Sequence, residues 1–167
     1  MLRKHLTLML TTLALAATLT GCGGAGSVAT TAPATFGTTT GNQVQAQDYR
    51  SVTQAQRVAT DSLYRYEDLR RDWDRAYSDR EKDRIEMQML DELTEATKEC
   101  QSISSGGYGY DAREVYDITD RALDEYETLR GRWQRTYDTR QKREIVNDML
   151  QVLTQSLKLI QQVRPRG

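Results

Sequence analysis

The feature that most constrains the fold of this chain is an internal repeat. Residues 126–154 align with residues 66–94 without a gap when the chain is shifted by 60 positions, and 14 of the 29 aligned residues are identical. The identities include Trp73 with Trp133, and they indicate that a unit of about 53 residues was duplicated. We therefore expect two copies of one supersecondary unit, repeat 1 at 51–103 and repeat 2 at 111–163.

Each repeat carries two amphipathic stretches. No proline lies inside either repeat, and apolar residues recur every three or four positions, as on one face of an α-helix. In repeat 1 the apolar stripe runs to the region of Trp73, stops, and resumes in a new phase at Ile85, and repeat 2 shows the same break between Trp133 and Ile145. A change of phase at the same place in both copies predicts a turn there.

Helix starts are indicated by serine or aspartate followed three residues later by glutamate or glutamine, the spacing of a capping box. Four such pairs occur: Ser51 with Gln54, Ser78 with Glu81, Asp111 with Glu114, and Asp138 with Gln141. They predict helices over about 51–76, 79–104, 111–136 and 139–163.

Short connections force neighbouring helices to run antiparallel. The sequence therefore predicts an all-α protein, an antiparallel four-helix bundle made of two tandem helical hairpins and preceded by a flexible linker. In the alternative, each repeat is one long kinked helix, giving a two-helix rod or a swapped dimer, because the turns contain neither glycine nor proline.

The beginning of the chain differs in composition from the rest. Between Lys4 and Asp48 there is no aspartate, glutamate, lysine or arginine, which places a domain boundary near Asp48, with the bundle over 48–167. Residues 1–21 have a basic start and a short apolar run, as in a secretory signal, and the run is too short to cross a hydrocarbon layer of about 30 Å. Residues 22–47 are small and uncharged, which favours a flexible linker.

The apolar run ends in the sequence Leu19-Thr20-Gly21-Cys22. This resembles the lipobox of bacterial lipoprotein precursors, and the resemblance covers the first 22 residues only. It implies that the Cys22 thiol carries a diacylglyceryl group and that the chain is cut just before this acylated residue. The following Gly23 and Gly24, with no aspartate, resemble the pattern of lipoproteins exported to the outer membrane. The resemblance thus implies a lipid-anchored outer-membrane protein of a bacterium, facing the periplasm or the surface, because several acyl chains make a durable anchor.

The composition argues against catalysis and nucleic-acid binding. Removal of residues 1–21 leaves 21 of the 23 basic residues against 24 acidic ones, a net charge of −3, and no histidine. Histidine-dependent triads, metal sites and haem sites are thereby excluded, and strong nucleic-acid binding is not supported. Pairs such as Glu67 with Arg70 and Glu127 with Arg130 are typical of a solvated helix surface. We predict a protein that is not an enzyme, with no cofactor, no metal site and no nucleic-acid partner.

The best candidate for a binding surface is the end of the bundle that carries both short turns. The hairpin prediction gathers there two tryptophans and four basic residues that are identical in the two repeats: Trp73, Trp133, Arg80, Lys82, Arg140 and Lys142. Basic and aromatic residues together suit a protein interface or an anionic glycan. In the other interpretation, the tryptophans plug the end of the bundle together with Tyr77 and Tyr137. Tyr108 and Tyr110, in the glycine-rich connection between the repeats, form a second candidate surface for a partner or for the membrane. In the other interpretation, they belong to a mobile connector without a binding role.

These patterns predict a lipid-anchored envelope protein that acts as a scaffold, assembly factor or secretion pilot by binding an envelope protein of unknown identity. Two alternatives stay open. The first is a periplasmic chaperone-like binder, because residues 52–56, VTQAQ, resemble the LTxxQ motif of small helical periplasmic stress chaperones, with valine in place of leucine. The second is a carrier that holds a small ligand or lipid in the bundle core. Cys100 falls on the apolar stripe and is expected to be a buried, unreactive thiol.

Overall fold

The computed structural model describes residues 39–107 and 109–165, which form four helices and, within these ranges, no strand. The helices are α1 (Thr39–Arg75), α2 (Asp79–Ser105), α3 (Tyr110–Arg135) and α4 (Thr139–Gln162). Every helix contacts every other, and three-residue turns join α1 to α2 and α3 to α4. The predicted bundle of two antiparallel hairpins is confirmed.

Side-by-side packing within each hairpin excludes the alternative of one long kinked helix. Arg65 Nη1 lies 3.1 Å from Glu92 Oε1, and the Ser62 hydroxyl donates to the Glu92 carbonyl, although these residues are 27 and 30 positions apart. A continuous helix would hold them about 40 Å apart.

Two of the four predicted caps start helices. Ser78 Oγ accepts from the Glu81 amide at 3.2 Å, and Asp138 Oδ1 accepts from the Gln141 amide at 2.8 Å. These side chains satisfy amides of the first helical turn that have no partner within the helix, which is why α2 and α4 start where the sequence predicts.

The other two predicted caps are wrong. Ser51 lies inside α1, which begins twelve residues earlier at Thr39, and Asp111 is already the second residue of α3. The predicted linker 22–47 therefore overlaps α1 from Thr39 onward, and Asp48 is not a helix boundary. The glutamines and alanine of this stretch are good helix formers, but the stretch has no apolar stripe. Apolar periodicity therefore does not predict the first turns of α1. The rest of the predicted linker, like the predicted signal 1–21, lies outside the described residues.

Asp48 is the residue that caps α3, and it does so from α1. Its buried carboxylate accepts from the Ala112 amide at 2.9 Å, 64 positions away in sequence. Next to it, the Gln47 side chain donates to the Gly106 carbonyl at 3.3 Å. These two bonds fasten α1 to the connection between the repeats. The segment of α1 before Gln47 starts at Thr39 and is about 12 Å long.

The core is built from the same positions of both repeats. The largest fully buried side chains include Leu93 and its equivalent Leu153, and Cys100 lies where repeat 2 has Ile160. Each buried leucine or isoleucine contributes about 1.5–3 kcal/mol relative to exposure, so the duplicated stripes account for the bundle.

Cys100 behaves as the sequence predicts. Its thiol is buried and donates to the Ala55 carbonyl at 3.3 Å, and burial raises the pKa of the thiol to about 12. At neutral pH it is a small core residue without thiolate character.

Candidate functional site

The two short turns lie at the same end of the bundle, because α1 and α3 both run toward that end. We call this end, comprising residues 72–84 and 132–144, the tip. The chain enters α1 at the opposite end, where Gln47 and Asp48 contact the connection between the repeats.

Tryptophan and lysine form the same contact in both halves of the tip. Lys82 Nζ lies 4.5 Å from the centroid of the Trp73 ring, and Lys142 Nζ lies 4.6 Å from the centroid of the Trp133 ring. All four side chains are half-buried. A cation over an indole face is stabilised by about 0.5–1 kcal/mol at exposed sites and more when water is excluded. The identity of these residues in the two repeats therefore has a structural reason, since each pair joins the end of one helix to the start of the next.

The stack in repeat 1 has an additional partner. Trp73 Nε1 donates to Glu86 Oε1 at 3.0 Å. Burial raises the pKa of Glu86, and neighbouring Asp83 acts in the same direction, while the Trp73 hydrogen bond and nearby Arg143 and Lys82 oppose the shift. Repeat 2 has Val146 at the equivalent position, so the two halves differ here.

The two arginines of the predicted basic cluster are exposed and have different neighbours. Arg140 Nε lies 3.3 Å from Glu144 Oε1, whereas Arg80 makes no ion pair with any described residue. Across the tip, Arg143 Nη2 lies 3.7 Å from Asp79 Oδ1, which links α4 to α2.

The two halves of the tip carry net charges of opposite sign, although only its basic residues were predicted to form a binding surface. Residues 72–84 contain five acidic and four basic side chains, a net charge of −1, and residues 132–144 contain five basic and two acidic side chains, a net charge of +3. Repeat 1 has Asp72 and Asp83 where repeat 2 has Arg132 and Arg143. One half of the tip is thus basic and the other slightly acidic.

Tyr77 and Tyr137 are the most exposed aromatic side chains that the structure describes. Their relative exposures are 103% and 97%, so neither ring is covered by the bundle. The interpretation in which these tyrosines plug the bundle end is therefore wrong, whereas the half-buried tryptophans do pack against the core. The sequence pattern gave no sign of this difference, because all four residues follow the apolar stripe at similar spacing.

Among the remaining predicted site residues, only Tyr110 is described. It is the first residue of α3 and is exposed, so it belongs to a helix and not to the loop in which the sequence analysis placed it. Tyr108 and the predicted lipidation site Cys22 lie outside the described residues.

The described part of the chain offers no site for a metal, since no group of three or more histidine, cysteine, aspartate or glutamate side chains could hold an ion there. In the same residues, no helix is both long and apolar enough to cross a membrane. Comparisons of the chain with models of known protein families, with curated proteins and with solved structures find no match.

Proposed function

We propose that this protein is a lipid-anchored component of a bacterial envelope that binds another envelope protein through the tip, without catalysis, as a scaffold, assembly factor or secretion pilot. The observation that carries the proposal is the complete exposure of Tyr77 and Tyr137 at equivalent turns. Tyrosine is enriched in protein interfaces and in their energetic hot spots, because a rigid ring buries a large area with little loss of conformational freedom.

The surroundings of the tyrosines support a protein partner. The Trp73–Lys82 and Trp133–Lys142 stacks sit at the ends of the two helix pairs and stiffen the turns that carry the tyrosines. A rigid presentation lowers the entropy cost of association. The polarised charge of the tip would orient a partner of opposite polarity and speed its encounter.

A lipid anchor at Cys22 fits this arrangement, since the chain enters the bundle at the end opposite the tip. In the mature protein the chain would then lead from the anchored Cys22 first to the end of the bundle opposite the tip, and only after the length of α1 to the tip. Cys22→Ser should abolish incorporation of radioactive palmitate while leaving the helical content unchanged. Labelling that survives this substitution would remove the anchor from the proposal.

Partner capture tests the tip directly. The full chain, crosslinked in the envelope of its host, should yield one dominant partner. Tyr77→Ala with Tyr137→Ala should reduce that capture by at least about 30-fold, which corresponds to about 2 kcal/mol, the loss of a single hot-spot side chain. The matched control is Tyr49→Ala with Tyr64→Ala, which removes two exposed tyrosines from the flank of α1. Equal capture by the tip variant and wild type, or equal loss in the control, would reject the tip as the interface.

The two alternative functions give different results in separate assays. A chaperone-like binder would suppress the aggregation of unrelated unfolded proteins, and a carrier would copurify with a ligand. The described core does not favour a carrier, because its central positions are filled by side chains such as Leu93, Leu153 and Leu157 with no exposed surface.

A further inference from the structure

A groove runs along the side of the bundle between α1 and α4, away from the tip. It has a volume of about 390 Å³ and is lined from α1 by Tyr66, Glu67 and Arg70 and from α4 by residues that include Thr154 and Lys158. This volume is within the range of small-molecule sites, about 300–1,000 Å³. The groove is also larger than a single small ion, so it has room for an ion that is part of a larger molecule.

The two cations of the groove converge. Gln56 Nε2 donates to the Val163 carbonyl at 2.7 Å, and Gln161 Nε2 donates to Thr60 Oγ1 at 2.9 Å, so α1 and α4 are antiparallel with Thr60 nearly level with Gln161. With this register, Arg70 lies about 10 Å nearer the tip than Lys158. Side chains lean toward the N-terminus of their own helix, and therefore Arg70 and Lys158 lean toward each other.

Neither cation of the groove is neutralised by an ion pair. Among the described residues no carboxylate lies within ion-pair distance of Arg70 or Lys158, although Glu67 stands one turn from Arg70 on the same helix. With two basic residues and one acidic residue, the groove has a formal net charge of +1.

Thr154 adds an unused hydroxyl to the lining. Its Oγ1 is buried and has no hydrogen-bond partner. Other helical threonines of this protein return their hydroxyl to the carbonyl four residues earlier, as Thr60 does to Gln56 at 2.7 Å and Thr97 does to Leu93 at 2.7 Å. A buried hydroxyl without a partner is costly, so this position of the groove wall is less stable than a satisfied threonine would make it.

The duplication supplies an equivalent set of residues on α3 and α2 with the opposite formal charge, and we call this set the second groove. Tyr126, Glu127, Arg130, Thr94 and Lys98 occupy, in α3 and α2, the positions equivalent to Tyr66, Glu67, Arg70, Thr154 and Lys158. Thr94 Oγ1 is likewise buried without a partner.

The two frameworks differ in their acidic residues. Gln151 and Gln155 of the α1/α4 groove are replaced by Asp91 and Glu95, which changes the formal charge of the set from +1 to −1. Arg130 is also paired with Glu127, with Nη1 3.3 Å from Oε1. Only the α1/α4 groove thus offers unpaired cations together with neutral neighbours.

We propose that the α1/α4 groove binds a phosphate group, carried either by a soluble phosphate compound or by a lipid headgroup. The Arg70 guanidinium and the Lys158 ammonium supply several donors from two sides, which suits the several acceptor oxygens of phosphate better than the two oxygens of a carboxylate. The site is separate from the tip, and phosphate binding there stands or falls independently of partner binding by the tyrosines.

The test is an NMR titration of the full chain in maltoside detergent with inorganic phosphate. The amide signals of Thr154 and Lys158 should shift in a saturable manner, and Arg70→Gln with Lys158→Gln should raise the dissociation constant at least about tenfold, because one lost charge-assisted hydrogen bond changes an equilibrium by about this factor. Arg130→Gln with Lys98→Gln, the matched change in the second groove, should leave it within about twofold.

Exchanging the acidic residues tests the same idea in both directions. Gln151→Asp with Gln155→Glu should abolish the phosphate shifts of the α1/α4 groove, while Asp91→Gln with Glu95→Gln should create phosphate shifts at Thr94 and Lys98. All four positions are exposed, so each variant is expected to fold. Absence of a saturable shift in the wild type, or equal effects of the matched variants in the two grooves, would overturn the proposal.

The source of the phosphate is decided by two further ligands. A lipid source predicts that short-chain phosphatidylglycerol binds the groove more tightly than glycerol phosphate does, and that short-chain phosphatidylcholine, whose headgroup carries its own cation, binds more weakly. A soluble source predicts that glycerol phosphate binds at least as tightly as the lipid. Thr154→Val should raise the unfolding midpoint, because it removes the buried hydroxyl that has no partner.

Discussion

The cap that α1 provides for α3 makes a strong prediction about the coupling between Asp48 and Gly109. Asp48 Oδ1 accepts from the Ala112 amide at 2.9 Å, and a Cβ added to Gly109 would lie 1.9 Å from Asp48 Oδ2. The carboxylate therefore occupies the space that any side chain at position 109 would need.

The expected single effects follow from this geometry. Asp48→Ala removes the cap and its charge, and should lower the free energy of unfolding by about 1–2 kcal/mol. Asp48→Asn keeps an acceptor for the Ala112 amide and loses only the negative charge at the helix end. It should therefore lower the free energy of unfolding by only about 0.3–1 kcal/mol. Gly109 has φ −89° and ψ 169°, a backbone conformation open to every residue. If an added Cβ met no other atom, alanine at this position would therefore be neutral or slightly stabilising. Because the carboxylate must be displaced, Gly109→Ala should instead cost about 1–3 kcal/mol.

The double variant separates this contact from unrelated damage. Once Asp48 is alanine, the Cβ at position 109 has room, so Asp48→Ala with Gly109→Ala should cost about 1–2 kcal/mol, less than the sum of the single changes by at least 1 kcal/mol. The assay is urea unfolding of the full chain, followed by circular dichroism, for all four members of the cycle. Costs that add to within about 0.5 kcal/mol would show that the carboxylate does not hold this position.

Three further predictions concern the core and the buried ionisable groups. Leu153→Ala, at a fully buried site, should lower the free energy of unfolding by about 2–5 kcal/mol, whereas Leu159→Ala on the exposed face of α4 should change it by less than about 0.5 kcal/mol, as measured by urea unfolding. Since burial raises the folded-state pKa of Glu86, the contribution of Glu86 to stability is greatest in acid and is lost as the pH rises above the ordinary glutamate pKa of 4.5 and through the folded-state pKa. Glu86→Gln should therefore gain stability relative to wild type as the pH rises through this window, measured by urea unfolding at a series of pH values, and a constant difference would contradict the assignment. Cys100, with a pKa of about 12, should react with a disulfide reagent only as fast as the protein unfolds, measured in a Cys22→Ser background, and rapid reaction of the folded protein would refute its burial.

The helices and their turns were predictable because the sequence states them twice. Local signals of three to seven residues mark the turns: the apolar stripe breaks before Ile85 and Ile145, and Ser78 and Asp138 cap the next helices. Because each signal occurs at the same place in both repeats, it is not a coincidence. The start of α1 was not predictable in this way. Thr39 and the glutamine-rich residues after it have no apolar stripe, and their helix is fixed in part by contacts with the connection between the repeats.

The candidate site was predictable in its location but not in its chemistry. The repeat places Trp73 and Lys82 near one turn, and the structure adds that the lysine stacks on the ring. The exposure of Tyr77 depends on the direction that the chain takes after Arg75, which a helical pattern does not encode. The cap from Asp48 was equally hidden, since it joins residues 64 positions apart and no local spacing reports such a pair.

Site-specific photocrosslinking in the native envelope can show whether a partner binds at the tip. Benzoylphenylalanine would be placed at position 77 or 137, and at position 64 on the flank of α1 as the control, since the native tyrosines at all three positions are exposed. Binding through the tip predicts one adduct of the same mass from positions 77 and 137 and no adduct from position 64. Adducts from position 64 alone, or adducts of many different masses from the two tip positions, would contradict a dedicated interface at the tip.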